Sequence, residues 1–351
     1  MVQNLNLNGF TNFSESDFTF SKINVFIGKN GTGKTHILKS IAATIDANNS
    51  FENLHSQAKE RFEAIIAEKL TGYFKPEHLG RLVKRQQGRA NAIIDIKIRN
   101  KNIRYSFAVN SKTNVKLENN ENIPVIRSLY IPPREMFSLY EGFLFTYEKR
   151  ELSFDETYFM LAKSLDAKTL KGARLENVKI LAEPLEKELD IKVLKENGRF
   201  YIQDKQGKFE AHLVAEGIRK LSSIMYLITN GELDKNTILF WDEPESNLNP
   251  SLIKIVANFI ISLAEQGVQL FIATHDYLLT HLLSLRAEYR NIEPAPEMKF
   301  FSLQENDEQL TIEQADTLPQ INNNPILDEY AAYFDLEQEF AQKMIDAKIK
   351  K

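Results

Sequence analysis

Apolar residues change their spacing several times along the chain, and each change predicts an element. In NLNLNGF and DFTFSK they alternate with polar residues at period two, as in strands with one buried face. INVFIG, ending at Gly28, is an apolar run of the kind found in a strand covered on both faces. After Thr35, Ile37, Leu38, Ile41 and Ile45 recur at helical spacing. Residues 50–72 also read as helix, with Leu54, Phe62, Ile65, Ile66 and Leu70 as the apolar set. Ile94, Ile96 and Ile98, a turn at Asn100, then Ile103, Tyr105 and Phe107 predict a hairpin. VIRSLYI predicts a strand stopped by Pro132 and Pro133.

Residues 150–190 read as mostly helical. Asn197-Gly198 and Gln206-Gly207, each between strand-like runs, predict a small meander. A helix opens near Glu216, and a second runs from Pro250 to about Glu265, because proline suits the first helical position. TILFWD and VQLFIA predict buried strands on either side of that second helix. This rhythm predicts an α/β fold with a mostly parallel central sheet, an N-terminal antiparallel β part and an inserted helical and β-hairpin subdomain. The pattern changes divide it into 1–135 with 212–290 as a head carrying an insertion near 49–110, an inserted subdomain at 136–211, and acidic strands and a helix at 291–351.

Composition narrows the chemistry. The chain has 351 residues and no cysteine, which excludes disulfides and cysteine-ligated metal. No apolar run has the length to span a bilayer, and the N-terminus lacks the basic-then-apolar pattern of a signal peptide. The expectation is a cytoplasmic protein without direct membrane insertion. The net charge of −4 is unevenly spread. Nine basic and two acidic residues lie between Lys75 and Arg104 (Arg81, Lys84, Arg85, Arg89, Lys97, Arg99 and Lys101 among them), and ten acids with no base lie between Glu305 and Glu339. The basic stretch admits either nucleic-acid phosphates or a solvated hairpin face. In the acidic tail, Ile326, Leu327, Tyr330, Tyr333 and Phe334 predict an amphipathic helix. That helix either docks on a basic partner or on the head, or closes the core.

Three short segments carry the candidate chemistry. Gly28-Lys29-Asn30-Gly31-Thr32-Gly33-Lys34-Thr35 matches G-x-x-x-x-G-K-[ST] between a buried strand and a helix start. Gly28, Gly31 and Gly33 let backbone N–H groups of the loop, those of Asn30 and Thr32 included, curl around a polyphosphate. The helix terminus adds its dipole to that anion site. Lys34 would reach the phosphates, and the Thr35 hydroxyl would bind Mg²⁺. In ILFWDEPES, Asp242 and Glu243 end a buried strand, where a carboxylate is costly without a cation or hydrogen bonds. Asp242 would hold the metal. Glu243, pointing the other way as strand neighbours do, would polarise a water. ATHD ends the next buried strand, so His275 falls where ligands bind in open α/β sheets.

In this order GKNGTGKT, FWDEPESNLNP and ATHD resemble an ABC-type ATPase head, a P-loop NTPase. The likeness is closer to the soluble SMC, RecF and OLD-type group, often antiphage-associated, than to transporter motors. NGF-TNF before INVFIG resembles that group's opening, YIPPREM stands in the place of the glutamine loop, and SNLNP resembles the D-loop. The resemblance covers residues 1–48, 125–140 and 212–280. It implies ATP and Mg²⁺, hydrolysis with Glu243 and His275 in catalysis, and a head-to-head dimer with two ATP molecules at its interface. AEGIRKL matches the signature helix, with Gly217 facing the partner's nucleotide, although Ala215 stands where the family has serine. Either Arg134 or Glu135 takes the glutamine-loop role.

About seventy residues follow His275, fewer than the nuclease domain of OLD proteins needs. Any destructive chemistry is therefore expected from a separate effector protein. The resemblance thus implies a regulatory switch, with a DNA-associated repair or clamp ATPase as the alternative and a transporter subunit as a weaker one.

Overall fold

A computed structural model describes residues 1–54, 58–85, 90–149, 152–306 and 309–349; Arg89 of the basic stretch lies outside them. The chain opens with β1 (Val2–Phe10), β2 (Phe13–Thr19) and β3 (Ile23–Gly28), then α1 (Lys34–Asn53) and α2 (Lys59–Phe74). Next come β4 (Asn91–Ile98), β5 (Lys101–Ala108), β6 (Lys116–Asn120) and β7 (Ser128–Ile131). Helices α3 (Phe143–Lys149), α4 (Glu156–Asp166) and α5 (Ala173–Leu189) lead to β8 (Lys192–Glu196), β9 (Arg199–Asp204) and β10 (Gly207–Glu210). The remainder runs α6 (Glu216–Thr229), β11 (Ile238–Asp242), α7 (Pro250–Glu265), β12 (Gln269–Thr274), α8 (Tyr277–Glu288), β13 (Met298–Asn306), β14 (Gln309–Ala315) and α9 (Pro325–Ile349).

The central sheet has the order β14-β13-β3-β12-β11-β7. Its pairings are parallel except β13–β14. Parallel strands covered on both faces must be apolar throughout, and β3, β11 and β12 are buried at every position. The second sheet, β2-β1-β4-β5-β6, is antiparallel. Its β4–β5 turn places Arg99 and Asn100 at φ 51° and 62°, the left-handed pair that matches strand twist in a tight hairpin. The third sheet is the β8–β10 meander.

Two apolar layers flank the central sheet. One packs α1 and α2 between it and the antiparallel sheet. The other joins α4 to α7 with the opposite face of the sheet and includes Phe137, Leu165, Leu185 and Phe200. The Asn249 side chain accepts from the Leu252 N–H and Pro250 follows it, so α7 starts where its sequence predicts. The reading of continuous helix over 50–72 is corrected: α1 ends at Asn53, Leu54 is exposed rather than core, and 55–57 lie outside the described residues. In the basic stretch, Arg81 pairs with Glu77, and Arg104 with Asp95 and Glu118. Among the described residues no helix is long and apolar enough to cross a membrane.

Candidate nucleotide site

Strands β3, β12, β11 and β7 are adjacent and parallel, so their C-terminal ends open on one edge of the sheet. From β3 the chain enters the glycine loop. Gly31 and Gly33 have φ of 85° and 98°, which a side chain would resist. Gly28 is needed for a second reason: a Cβ there would lie 2.5 Å from the Leu303 carbonyl oxygen of β13. The Thr32 hydroxyl donates to the Lys29 carbonyl (2.9 Å), and Asn12 donates to that of Gly31 (2.6 Å). Asn30 and Gly31 are exposed at the loop's rim.

Lys34 is buried, and its ammonium curls back over the loop to the carbonyls of Gly28 (2.6 Å) and Lys29 (2.9 Å). Burial lowers its pKa, and Asp242, Glu243 and Glu245 oppose that shift. A buried cation held by carbonyls of a glycine-rich loop, at the start of a helix, fits an anion.

Asp242 is buried at the end of β11. Its Oδ1 accepts from the Thr35 hydroxyl and its Oδ2 from the Tyr130 hydroxyl, both at 3.1 Å. Burial pushes its pKa up to about 6, although both hydrogen bonds pull it down. A hydroxyl and a desolvated carboxylate held together are the hard oxygen donors a magnesium ion takes. The fold thus brings together Thr35 and Asp242, widely separated in sequence. The Tyr130 hydroxyl lay within YIPPREM without being singled out; the apolar run around it gave no sign that it would reach Asp242.

One residue on, the geometry differs from the strand-alternation reading. Glu243 has φ 49°, and its N–H donates to the Ala273 carbonyl (2.8 Å). It leaves β11 through a left-handed turn, so its direction is set by that turn and not by strand pleat. His275 Nδ1 lies 3.6 Å from carboxylate oxygens of both Glu243 and Glu245. Sequence reasoning assigned Glu245 no role. It is buried, accepts from the Thr274 hydroxyl (2.7 Å) and the His275 N–H (3.2 Å), and among the described residues leaves Oε2 without a partner.

Gly217 lies on α6, outside this cluster. A Cβ there would meet the Asn247 carbonyl oxygen at 2.8 Å, so the glycine lets α6 pack against the 246–249 loop of its own chain. Ala215 caps α6 without a side-chain hydrogen bond, and Glu216 is turned onto the Asn247 amide (2.8 Å). Of the two glutamine-loop candidates, Glu135 is buried against Arg219 (2.8 Å) and Ser138, whereas Arg134 is exposed.

Lys220 was also missed. Its buried ammonium donates to the carbonyls of Glu243 (2.5 Å) and Pro133 (3.2 Å) and to the Ser246 hydroxyl. Burial drops its pKa to about 8 against the pull of Glu245, Glu243 and Asp242. One cation thus ties α6 to the end of β11, to the turn after it and to the loop after β7. A lysine on the inward face of an amphipathic helix was the available signal.

Comparison with known proteins agrees with this architecture. A crystal structure of an Smc head bound to the C-winged helix domain of ScpA superposes with TM-score 0.55 at 12% identity, covering 91% of this chain and 98% of the other. An Smc head with an extended coiled coil, bound to the C-terminal domain of ScpA derived from Pyrococcus furiosus, gives 0.53 at 12% identity, covering 96% and 99%. At such identities the likeness shows the fold, that of a P-loop NTPase head. The histidine/lysine/arginine/ornithine transport ATP-binding protein HisP of Escherichia coli (strain K12) is 31% identical over 100 residues, which are 27% of this chain and 37% of HisP. The chain thus spans little more than a third of that relative. Residues 23–280, which include Lys34, Thr35, Asp242, Glu243 and His275, match one family model, and the chain belongs to that family, described as "AAA domain, putative AbiEii toxin, Type IV TA system".

Proposed function

We propose that this protein binds MgATP at the strand ends of its central sheet and hydrolyses it. One observation carries the reading: Lys34, the Thr35–Asp242 pair and the Glu243–His275 pair, from three separated segments, converge on one edge of the sheet. Magnesium at Thr35 and Asp242 would neutralise phosphate charge and favour the leaving group. Lys34 supplies a fixed positive charge toward the phosphates, in a desolvated place where that charge acts strongly. Glu243, half-exposed, is the carboxylate able to take a proton from an attacking water. His275 faces the same space as a hydrogen-bond donor. Glu245, by its burial, holds the His275 backbone in place.

We further infer that ATP brings two heads together, with α6 (Gly217 near its start) and the 246–249 loop presented to the partner's nucleotide, and Arg134 serving in the glutamine-loop role. The output we assign is a cytoplasmic regulatory switch acting on a separate effector, in bacterial antiphage defence. Two features of the relatives support it. The family description names a toxin of a type IV TA system, and the Smc heads are bound to domains of ScpA. A DNA-associated ATPase remains the second reading, favoured by Lys97, Arg99 and Lys101 on the partly to fully exposed β4–β5 hairpin. Stimulation of turnover by DNA that weakens with salt would select it.

Phosphate release and nucleotide retention test the primary reading. Wild type turns over ATP; Lys34→Ala neither retains nor cleaves it; Glu243→Gln retains ATP without cleaving it, and ATP but not ADP changes its sedimentation. If Glu243→Gln cleaves ATP at the wild-type rate, Glu243 is not the base.

A further inference from the structure

Helix α9 leaves an apolar face uncovered. Its first turn packs on the body, where Glu329 pairs with Lys29 of the glycine loop (3.3 Å) and the Tyr330 ring lies tilted against Tyr277, two residues after His275 (ring centroids 4.7 Å). Beyond that turn the helix runs free of the core. Its large apolar side chains from Leu327 to Ile345, including Tyr333, Phe334, Phe340 and Met344, are 43–73% exposed. At about 100° per residue these fall within one half of the helix circumference, while Asp328, Asp335, Glu339 and Asp346 occupy the other half. Only Glu329 and Glu337 interrupt the stripe. At roughly 200 Å² per ring and these exposures, the four rings present ~500 Å², and Leu327, Leu336, Met344 and Ile345 bring the exposed apolar surface to ~800 Å². That exceeds the ~300–600 Å² patch of a typical monomer and matches about one partner's share of a standard interface.

The charges name the occupant. From Asp328 to Glu339 there are five acids and no base; from Phe340 to Asp346 there is one lysine, Lys343, and one acid. A parallel pair of such helices would set acid beside acid. An antiparallel pair keeps the two acidic halves apart and sets each beside the turns that carry Lys343 of the other copy, so the helix suits its own reverse. We propose that α9 pairs antiparallel with α9 of a second copy of this chain, forming a dimer that does not require nucleotide. The pair joins two heads through elements that touch the glycine loop and the start of α8, so ATP acts on molecules already tethered.

Sedimentation of the full chain without nucleotide, and in the Lys34→Ala background, tests this apart from the ATPase reading. The expected result is a dimer at micromolar concentration, converted to monomer by Tyr333→Glu with Phe340→Glu, both exposed positions whose exchange leaves the fold intact by circular dichroism. Lys343→Glu weakens the dimer tenfold or more. Because the chain has no cysteine, single introduced ones report direction: Ala341→Cys, near the middle of α9, forms an intermolecular disulfide, and Leu327→Cys, near its start, does not. A monomeric wild type overturns the proposal, as does a dimer that survives both glutamates. A disulfide at Leu327→Cys overturns the antiparallel arrangement.

Discussion

Helix α1 buries Ile37, Leu38, Ile41 and Ile45 completely, whereas α9 leaves Tyr330, Tyr333, Phe334 and Phe340 more than half exposed. Both sequences are amphipathic at helical spacing. The difference lies in what each helix follows. Helix α1 grows from a loop fixed at the end of β3 and is roofed by the antiparallel sheet, so its stripe has a partner within the chain. Helix α9 starts against β3 and β13 beside the glycine loop and then runs past the body, where among the described residues no layer covers it. Apolar periodicity therefore specifies a helix and the face it must bury, but not the molecule against which it buries that face.

Mutations spread this contrast over a wide range of effects. The largest is expected at the first residue of α1: Lys34→Ala should reduce ATP turnover to background, read by phosphate release. Glu243→Gln comes next, with turnover falling about 10²–10⁴-fold, the usual contribution of a positioned general base. Within the fold, Ile41→Ala should cost about 3 kcal/mol in urea unfolding, because a fully buried side chain leaves a cavity.

Lys69→Met should cost a similar ~3 kcal/mol. It strands Asp46 of α1 and Glu156 of α4, which Lys69 of α2 holds at 2.9 and 2.6 Å. Those carboxylates outweigh the burial of Lys69 and push its pKa up from 10.5 to about 12. The stabilisation is therefore fully present below pH 10.5 and disappears as pH rises through 12, so alkaline unfolding of wild type and Lys69→Met should converge there. The smallest effect is expected on α9: Phe340→Ala should change the stability of the dilute monomer by no more than about 0.5 kcal/mol, while weakening the dimer. A cost of several kcal/mol in the monomer would mean that α9 packs on its own head, and the contrast with α1 would vanish.

Much of the site was legible because its parts are local. The glycine loop is contiguous, and each later carboxylate or histidine follows an apolar strand. The unread parts depend on distant partners. Tyr130 reaches Asp242 across neighbouring parallel strands, Lys220 reaches two carbonyls and a hydroxyl from different loops, and Glu245 is buried by the strand beside it. Gly217 could be seen as a close-approach position, yet which segment approaches it is a property of packing.

By itself the sequence determined the strand–loop–helix order, the apolar faces and the glycine-rich loop, because these follow from backbone freedom and spacing along one segment. Only the tertiary structure decided that β13 joins the sheet beside β3, that Glu243 turns out of its strand, that a buried lysine knots the strand ends to α6, and that α9 stands uncovered. Those outcomes depend on which surfaces meet once the chain is compact, and meeting surfaces are set by volume, desolvation and charge among residues far apart in sequence.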